Sequence, residues 1–513
     1  MGQNAADILV IGGGTAGCVL ASRLASNPDL RILVLEAGPA YRHPALAIPG
    51  AFPWAMTSPR YNWLDSTEAE PALDGRRLFL AQARIAGGGS SINGLVYARG
   101  PDADYDDWGV PGWGSADLAP VFAVLERDFW RPLRGSSPLP VARGFLDAIA
   151  EAGLPRAEGL GASGEGFGFY DWTVQGGRRI SGANLLAGRP NIALQTGARV
   201  LRLIIEAGRV RGCAYLQDGQ LREARAERVV LCAGALRSPQ LLMLSGIGPA
   251  EHLRAQGINV AHDLPGVGRN LVNHVSWKLQ YTTEKPVSAY RYLNPLRGAV
   301  EAARYMAGRG GYLSLAPTPV GGFFRSRAEL SRPDMQAFMS PALSGSAGLG
   351  LRRLLPDRHG FAVFMNQGRP DSRGVVELAS ADPLAAPRIV PRYFSAPGDL
   401  ETLLDAAERL RGLGSSRAYA SMGAREVSPG PEVQGRAGLE AHIRANATNH
   451  YHVAGTCRMG EDADAVVDPT LKLRGLEGLW VADNAVMPTM INGNTAAPAA
   501  MIGARCAHFL LSH

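Results

Sequence analysis

An α/β fold of more than one domain is predicted from three observations. These are a βαβ opening with a glycine fingerprint, an acidic residue ending its second strand, and a length of 513 residues. Residues 8–11 form a continuous apolar run, as expected of a parallel strand buried on both faces. Gly12, Gly14 and Gly17 then fit G-x-G-x-x-G at a strand-to-helix turn. The first permits the tight turn, the second lets backbone approach a pyrophosphate, and the third lets helix and strand pack closely. The helix predicted over 16–25 aims its N-terminal N–H groups at that phosphate. Asn27-Pro28 ends it, and 31–35 reads as the second strand. Glu36, 19 residues past Gly17, can hold both ribose hydroxyls of an adenosine. This fingerprint alone does not separate NAD from FAD.

The length exceeds what one hydrophobic core sustains, so two domains are expected. A hydrophobic content of 46% and a charged content of 19% are those of a soluble globular chain. The formal charge is +6, but the basic residues are scattered among acidic ones and almost all are Arg, with Lys only at 278, 285 and 472. No basic stripe interleaved with aromatics exists, which argues against nucleic acid as a partner. Cys18, Cys213, Cys232, Cys457 and Cys506 are an odd, widely spaced set without C-x-x-C. They suggest neither a disulfide framework nor a metal site, and they fit a reducing compartment. No basic leader precedes the first strand, and the most apolar stretch, 229–247, is interrupted by Arg237, Ser238, Pro239 and Gln240. Neither a signal peptide nor a membrane span is therefore expected, and a cytoplasmic location is.

Further along, 131–140 is a Pro/Gly/Ser loop placed between domains. Residues 200–206 and 209–216 alternate like a hairpin with Ala207-Gly208 as its turn. Residues 228–232 form another buried-type strand, running through Ala233-Gly234 into a helix with Pro239 near its first turn. Residues 344–350, followed by Arg352-Arg353, read as a mobile surface loop, and 399–412 has helical apolar spacing.

Three more constellations carry chemistry. Residues 83–94 hold Gly87-Gly88-Gly89-Ser90-Ser91, whose backbone N–H groups can pass close to a flat ring or a phosphate. Residues 234–248 join Gly234-Ala235 to Ser238-Pro239 and Ser245-Gly246-Ile247-Gly248. Residues 450–460 read His-Tyr-His-Val-Ala-Gly-Thr-Cys-Arg-Met-Gly, with Val481-Ala482-Asp483, Met487-Pro488 and Asn492-Gly493-Asn494-Thr495 downstream.

Together, and in this order along the whole chain, these segments resemble the glucose–methanol–choline (GMC) family of FAD-dependent oxidoreductases. The resemblance favours FAD over NAD. It implies a Rossmann-like FAD-binding domain with a discontinuous α+β substrate domain on an antiparallel sheet. We assign 1–105, 190–275 and 445–513 to the first, and 106–189 and 276–444 to the second. There are departures from the family pattern. Ala86 stands where Val, Leu or Ile is usual, Val453 replaces a frequent Pro, and Asn273 precedes His274 where Asp is commoner. Ala496 and Ala499 replace Asn and Thr. Ile92 occupies the position at which some members carry a His bonded to the flavin, so FAD is expected to be noncovalent.

The activity implied is oxidation of an alcohol to an aldehyde or ketone, with O2 or a quinone-type acceptor reoxidising the flavin. Hydride leaves the carbinol carbon as the hydroxyl proton is removed, and a neutral imidazole within hydrogen-bond reach can take that proton. His452 is the expected base, and Asn494 the donor that orients the oxygen. By the same resemblance, FAD is met by Gly12, Gly14, Thr15, Ala16, Gly17, Glu36 and Ala37. The Gly-rich loop adds Gly88, Ser90, Asn93, Gly94, Leu95 and Val96, and later segments add Val200, Ala233, Asp483, Asn494 and Thr495. In an extended segment, His450 and His452 share a face and Tyr451 takes the other. His450 and Tyr451 are candidates for substrate contact, and His450 also reads as a hydrogen-bonded core residue. His274 is assigned a structural role, and Cys457 packing rather than catalysis. The neutral residues after Asn494 suggest an apolar site and a non-sugar primary alcohol, aromatic or furanic. A choline-type dehydrogenase and a hydroxynitrile lyase without net redox remain the alternatives, as does a flavin-binding protein without catalysis.

Overall fold

The computed structural model describes residues 5–160, 164–344 and 356–512. The expected loop at 344–350 and the Arg352-Arg353 pair lie outside them, save Ser344. Two large sheets organise the chain. In the first, the order is Ile192–Thr196, Ile32–Glu36, Ala5–Ile11, Gln220–Leu231, Arg209–Gln217 and Arg199–Glu206. Leu479–Val481 adds a parallel partner to Gln220–Leu231. Ala5–Ile11 lies at the centre, parallel to both its neighbours, and Ile8, Leu9 and Val10 are completely buried. That explains their unbroken apolar run. The expected hairpin is present as an antiparallel pair, Arg199–Glu206 with Arg209–Gln217.

The βα turn shows why glycine is required. Gly12 has φ +104°, and a Cβ there would run into the Cys232 backbone. At Gly17, a Cβ would strike the Gly12 carbonyl and sit 3.3 Å from the Cys232 Cβ. The helix Thr15–Leu24 therefore presses onto the strand as the fingerprint requires. The C-terminal helix Ala496–Leu511 packs on its outer side, with Gly503 against the Ala16 backbone. The helix Gly234–Leu244 begins where expected, but Pro239 lies in its interior rather than in its first turn.

The second sheet is antiparallel, ordered Ala424–Ser428, Val275–Thr283, Gly360–Gln367, Met335–Ser340, Val320–Phe324 and Gly166–Phe169. Along Val275–Thr283, the residues Val275, Trp277, Leu279 and Tyr281 enter a second core with Leu403, Leu404 and Leu410 of the helix Pro397–Arg411. The alternate residues Lys278 and Gln280 face a large cavity between the sheets. This is the period-two alternation of a strand with two unlike faces. Thr448–Asn449 pairs with the start of the same strand. No helix among the described residues is long and apolar enough to cross a membrane.

Replacing Gly17 with Ala places a methyl group against a backbone carbonyl that cannot rotate away. We expect a loss of about 1–3 kcal/mol. It should be read as a lower denaturant midpoint with unchanged slope; an unchanged midpoint would show that this contact yields freely.

Candidate active site

The cavity between the sheets has a volume of about 1450 Å³. A drug-sized ligand needs about 300–1,000 Å³, so there is room for a dinucleotide and a further small molecule. At one end it is lined by Gly12, Gly14, Thr15, Ala16, Glu36, Ala37, Val200, Ala233 and Asp483. Gly88, Asn93, Gly94, Leu95, Val96, Asn494 and Thr495 continue the lining toward the other end, where His450, Tyr451 and His452 stand.

The nucleotide end fits FAD on its own chemistry. Gly14 has φ −73° and ψ −171°, which any residue adopts, and a Cβ there would come no nearer than 3.8 Å to other atoms. Protein packing therefore does not demand glycine at 14, whereas a ligand lying against the backbone does. The helix starting at Thr15 has no side-chain cap and no acidic residue in its first turn, so its N–H groups are left for an anion. Glu36 is buried, accepting hydrogen bonds from the backbone N–H groups of Gly13 (3.0 Å) and Gly38 (2.7 Å). Burial raises its pKa, and those two donors oppose the rise. Arg237 lines the same end, paired with Asp65 at 2.7 Å and lying 4.6 Å over the Trp63 ring. Its Nε and Nη1, and Oδ1 of the cavity-lining Asn484, are buried without a partner in the chain. Such orphaned polar atoms call for a ligand or water. Asp483 accepts from the Gly234 N–H (2.8 Å), the Ser238 hydroxyl (2.6 Å) and the Ala485 N–H (2.8 Å). It thus ties the start of the helix Gly234–Leu244 to the cavity wall.

Two expected contacts lie elsewhere. Gly17 serves helix–strand packing, as described above. Ser90 turns its hydroxyl to the Gly87 carbonyl (2.6 Å) and accepts from the Gly182 N–H (2.9 Å), because the Gly-rich loop needs its own backbone satisfied where it meets the segment at 182.

At the other end, three imidazoles converge. His274 Nε2 faces two carbonyl oxygens, those of Gly368 (2.9 Å) and Ile491 (3.1 Å). Carbonyls only accept, so this nitrogen carries the proton. In the neutral ring Nδ1 is then bare, and it lies 2.8 Å from His452 Nδ1, which must donate. His452 Nε2 is consequently unprotonated, and it accepts from the Asn494 amide Nδ2 at 3.4 Å. The proton positions on His452 are thus set, through His274, by two backbone carbonyls. Asn494 is oriented in turn, its Oδ1 accepting from Gln336 Nε2 at 3.1 Å. Burial keeps the whole group neutral. It lowers the His274 pKa to about 4 and that of His450 to about 3. His452 is held well below its ordinary 6.5 by burial first, then by repulsion from His274 and His450.

His450 both lines the cavity and is hydrogen-bonded: Nδ1 to Asn366 Oδ1 (2.8 Å) and Nε2 to the Ser276 hydroxyl (3.0 Å). The segment is not extended, since Tyr451 has φ +63°. That turn brings the His450 and His452 rings to 6.0 Å while Tyr451, edge-on to Phe79, also lines the cavity instead of facing away. His274, Gln336, Ser276 and Asn366 were not singled out for catalysis or its support by sequence reasoning. Among them, only His274 carried a signal, since it comes just after 266–271, a segment resembling a family turn between domains. Phe338 and Phe364 pack against His450, and Lys278 lies 5.7 Å over the Phe364 ring with its amine donating to the Ser344 hydroxyl at 3.0 Å. Burial lowers the Lys278 pKa to about 8. Among the described residues the carboxylates lining the cavity are Glu36 and Asp483, both at the nucleotide end.

Comparison with known proteins agrees with this geometry. The GMC oxidoreductase family models match residues 6–276, for the N-terminal part, and 370–503, for the C-terminal part. The chain belongs to the GMC oxidoreductases. It is 36% identical to an oxygen-dependent choline dehydrogenase of Rhizobium etli, covering 99% of this chain and 95% of the relative. A mitochondrial choline dehydrogenase of Mus musculus is 35% identical over 100% of this chain and 90% of its own. Among solved structures, pyridoxine 4-oxidase from Mesorbium loti is 31% identical and superposes with a TM-score of 0.86, covering 99% of both chains. This GMC oxidoreductase is thus a flavoprotein oxidoreductase acting on CH–OH groups.

A neutral base with so low a pKa gives a specific pH dependence. The rate of alcohol-driven flavin reduction should stay level as pH falls through 6.5, the ordinary histidine value, and decline only in more acidic solution. Stopped-flow reduction across pH checks this; an acid limb centred at or above 6.5 would contradict the buried neutral triad.

Proposed function

We propose that this GMC oxidoreductase oxidises a primary alcohol to the aldehyde with FAD, and that His452 is its base and Asn494 its oxygen-orienting donor. The observation that carries this is the unprotonated Nε2 of His452 beside the Asn494 amide, left so by the commitment of His274 Nε2 to two carbonyls. FAD, when bound, supplies the acceptor for the hydride of the carbinol carbon. His452 Nε2 takes the hydroxyl proton, and its Nδ1–H stays bonded to His274, so the imidazolium forms without moving a second proton. Asn494, held through Gln336, offers an amide N–H to the oxygen as negative charge grows on it. The cavity-lining residues at the nucleotide end would hold the cofactor, with Glu36 on the ribose and the helix at Thr15 on the pyrophosphate. Ile92, also in the lining, offers no nucleophile, and we take the flavin to be noncovalent.

For the substrate, the relatives weigh toward a choline-type alcohol over the aromatic or furanic alcohol expected from the sequence. Two of them are choline dehydrogenases, and the Rhizobium relative's name brings O2 forward as acceptor. Pyridoxine 4-oxidase keeps a ring-bearing alcohol in view. Phe338 and Phe364 suit either an aromatic ring or an alkylammonium head, whereas Lys278 favours the former. The relatives described are oxidising enzymes, which leaves the lyase alternative unsupported. Five buried free cysteines fit action in the cytoplasm.

The test is anaerobic mixing with choline, pyridoxine, benzyl alcohol and a sugar alcohol, following flavin absorbance, then admission of air. At least one alcohol should bleach the flavin, and His452→Ala should slow that step about 10²–10⁴-fold with FAD retained. Bleaching by none of them, or an unimpaired variant, would sink the reading. Acid precipitation gives a separate check, since all yellow colour should stay in the supernatant.

A further inference from the structure

The segment Ala289–Leu293 contributes Ala289, Tyr292 and Leu293 to the cavity lining, and the helix Pro295–Met306 follows directly after it. The helix is capped by Asn294, whose Oδ1 accepts from the N–H groups of Leu296 (3.1 Å) and Arg297 (3.3 Å). It is anchored from one side only. Glu301 is buried and accepts from the Tyr312 N–H at 2.5 Å, and Tyr292 stacks on Tyr312 at 4.4 Å.

The outer side is apolar. Leu293 is 42% exposed, Leu296 79%, Val300 56% and Met306 80%. Leu296, Val300 and Met306, with Ala299 and Ala303, share one stripe at the helical period. Arg297 and Arg304, both exposed, fall together on the flank of that stripe, and Arg291 and Arg309 stand at its two ends. Between 285 and 312 the only acidic residue is Glu301, buried and 3.5 Å from the exposed Arg304, against five basic residues at 285, 291, 297, 304 and 309. Scattered exposed apolar side chains are ordinary, but several on one short helix, bordered by cations, are not.

We propose that this helix docks the protein onto an anionic phospholipid surface, lying in the interface with its apolar stripe inserted. The mixed lining suits that occupant better than a second copy of the chain: the same face on a two-fold partner would set Arg297 and Arg304 against their own kind, whereas lipid phosphates neutralise them. The stripe is far too short and one-sided to span a bilayer, and its character is that of a helix lying at the surface. The cavity mouth then opens beside the lipid headgroups.

The test is flotation of the purified holoprotein with vesicles of phosphatidylcholine, with and without phosphatidylglycerol. Binding to phosphatidylglycerol vesicles is expected, weakening as salt is raised. Leu296→Glu with Val300→Glu should lower partitioning at least ~10-fold, the cost of two charges in the apolar stripe. Arg297→Gln with Arg304→Gln should lower it at least ~10-fold too, from about 1 kcal/mol per basic residue near the surface. The second pair puts no charge into the apolar stripe, so it decides if the first fails to fold. Leu221→Glu, an exposed apolar position on the other sheet, should bind as the parent does. Failure of the parent to float with anionic vesicles would overturn the proposal, as would equal binding by the arginine pair. So would a dimer in sedimentation that the helix variants dissociate while no vesicle binding occurs, since the stripe would then belong to a second copy.

Discussion

The site depends on one piece of backbone pairing. Val272 and Ala454 exchange both their hydrogen bonds at 3.0 Å, and the His450 N–H reaches the His274 carbonyl at 3.2 Å. Asn273 closes the gap between them, its Oδ1 accepting from the His452 N–H at 2.9 Å and its Nδ2 donating to the Tyr393 hydroxyl at 2.7 Å. Two segments 178 residues apart are thereby laid side by side at the seam of the two sheets. The imidazoles that project from them can then meet at hydrogen-bond distance without either side chain searching for the other. Asn273, where a carboxylate is commoner in the family, does this with a neutral amide that both accepts and donates. An ionised Asp could not donate to Tyr393, so the neutral residue suits a site from which charge is otherwise excluded.

The cavity separates its charges along its length. At the nucleotide end, Glu36 and Asp483 are buried and Arg237 half-buried, each held by backbone donors, a hydroxyl or an opposite charge. At the other end, three histidines are all kept neutral, since burying one imidazolium costs several kcal/mol and burying adjacent ones costs more. That arrangement makes His452 a weak base at rest. Neutrality also fixes the tautomer, because each neutral ring has one proton to place and the carbonyls of Gly368 and Ile491 claim the first.

How much of this was legible in the sequence follows from how local each constraint is. Gly12 and Gly17 were readable because their requirement arises within a single βα turn, and Glu36 because the next strand fixes its distance. His452 and Asn494 were singled out through motif resemblance, since no local rule assigns a base. The partnership of His274 with His452 was not readable, because strand register across the seam creates it. Gln336, Ser276 and Asn366 were hidden for the same reason. They are ordinary polar residues on alternating strands, and only the antiparallel register, Ser276 opposite Asn366 and Asn366 opposite Gln336, lines them up beneath the imidazoles. The positive φ at Tyr451 likewise has no composition signal, as a bulky aromatic is among the residues least expected there.

The same register extends outward and constrains what the cavity can admit. Two residues along Val275–Thr283 from Ser276 is Lys278, opposite Phe364, which is opposite Phe338. A strand rises about 3.3 Å per residue, so this second row lies about 7 Å from the polar row that holds His450. A substrate whose carbinol reached His452 would therefore meet the rings of Phe338 and Phe364, which line the cavity, while Ser276, Asn366 and Gln336 lie fully buried behind the imidazoles. Ala496 and Ala499, the small departures after Asn494, form part of the opposite wall at the start of the C-terminal helix. They leave that wall without the amide and hydroxyl groups that are commoner there in the family. The shape and polarity of this end of the cavity are thus set largely by the antiparallel sheet, which contributes Lys278, Phe338 and Phe364 to its lining.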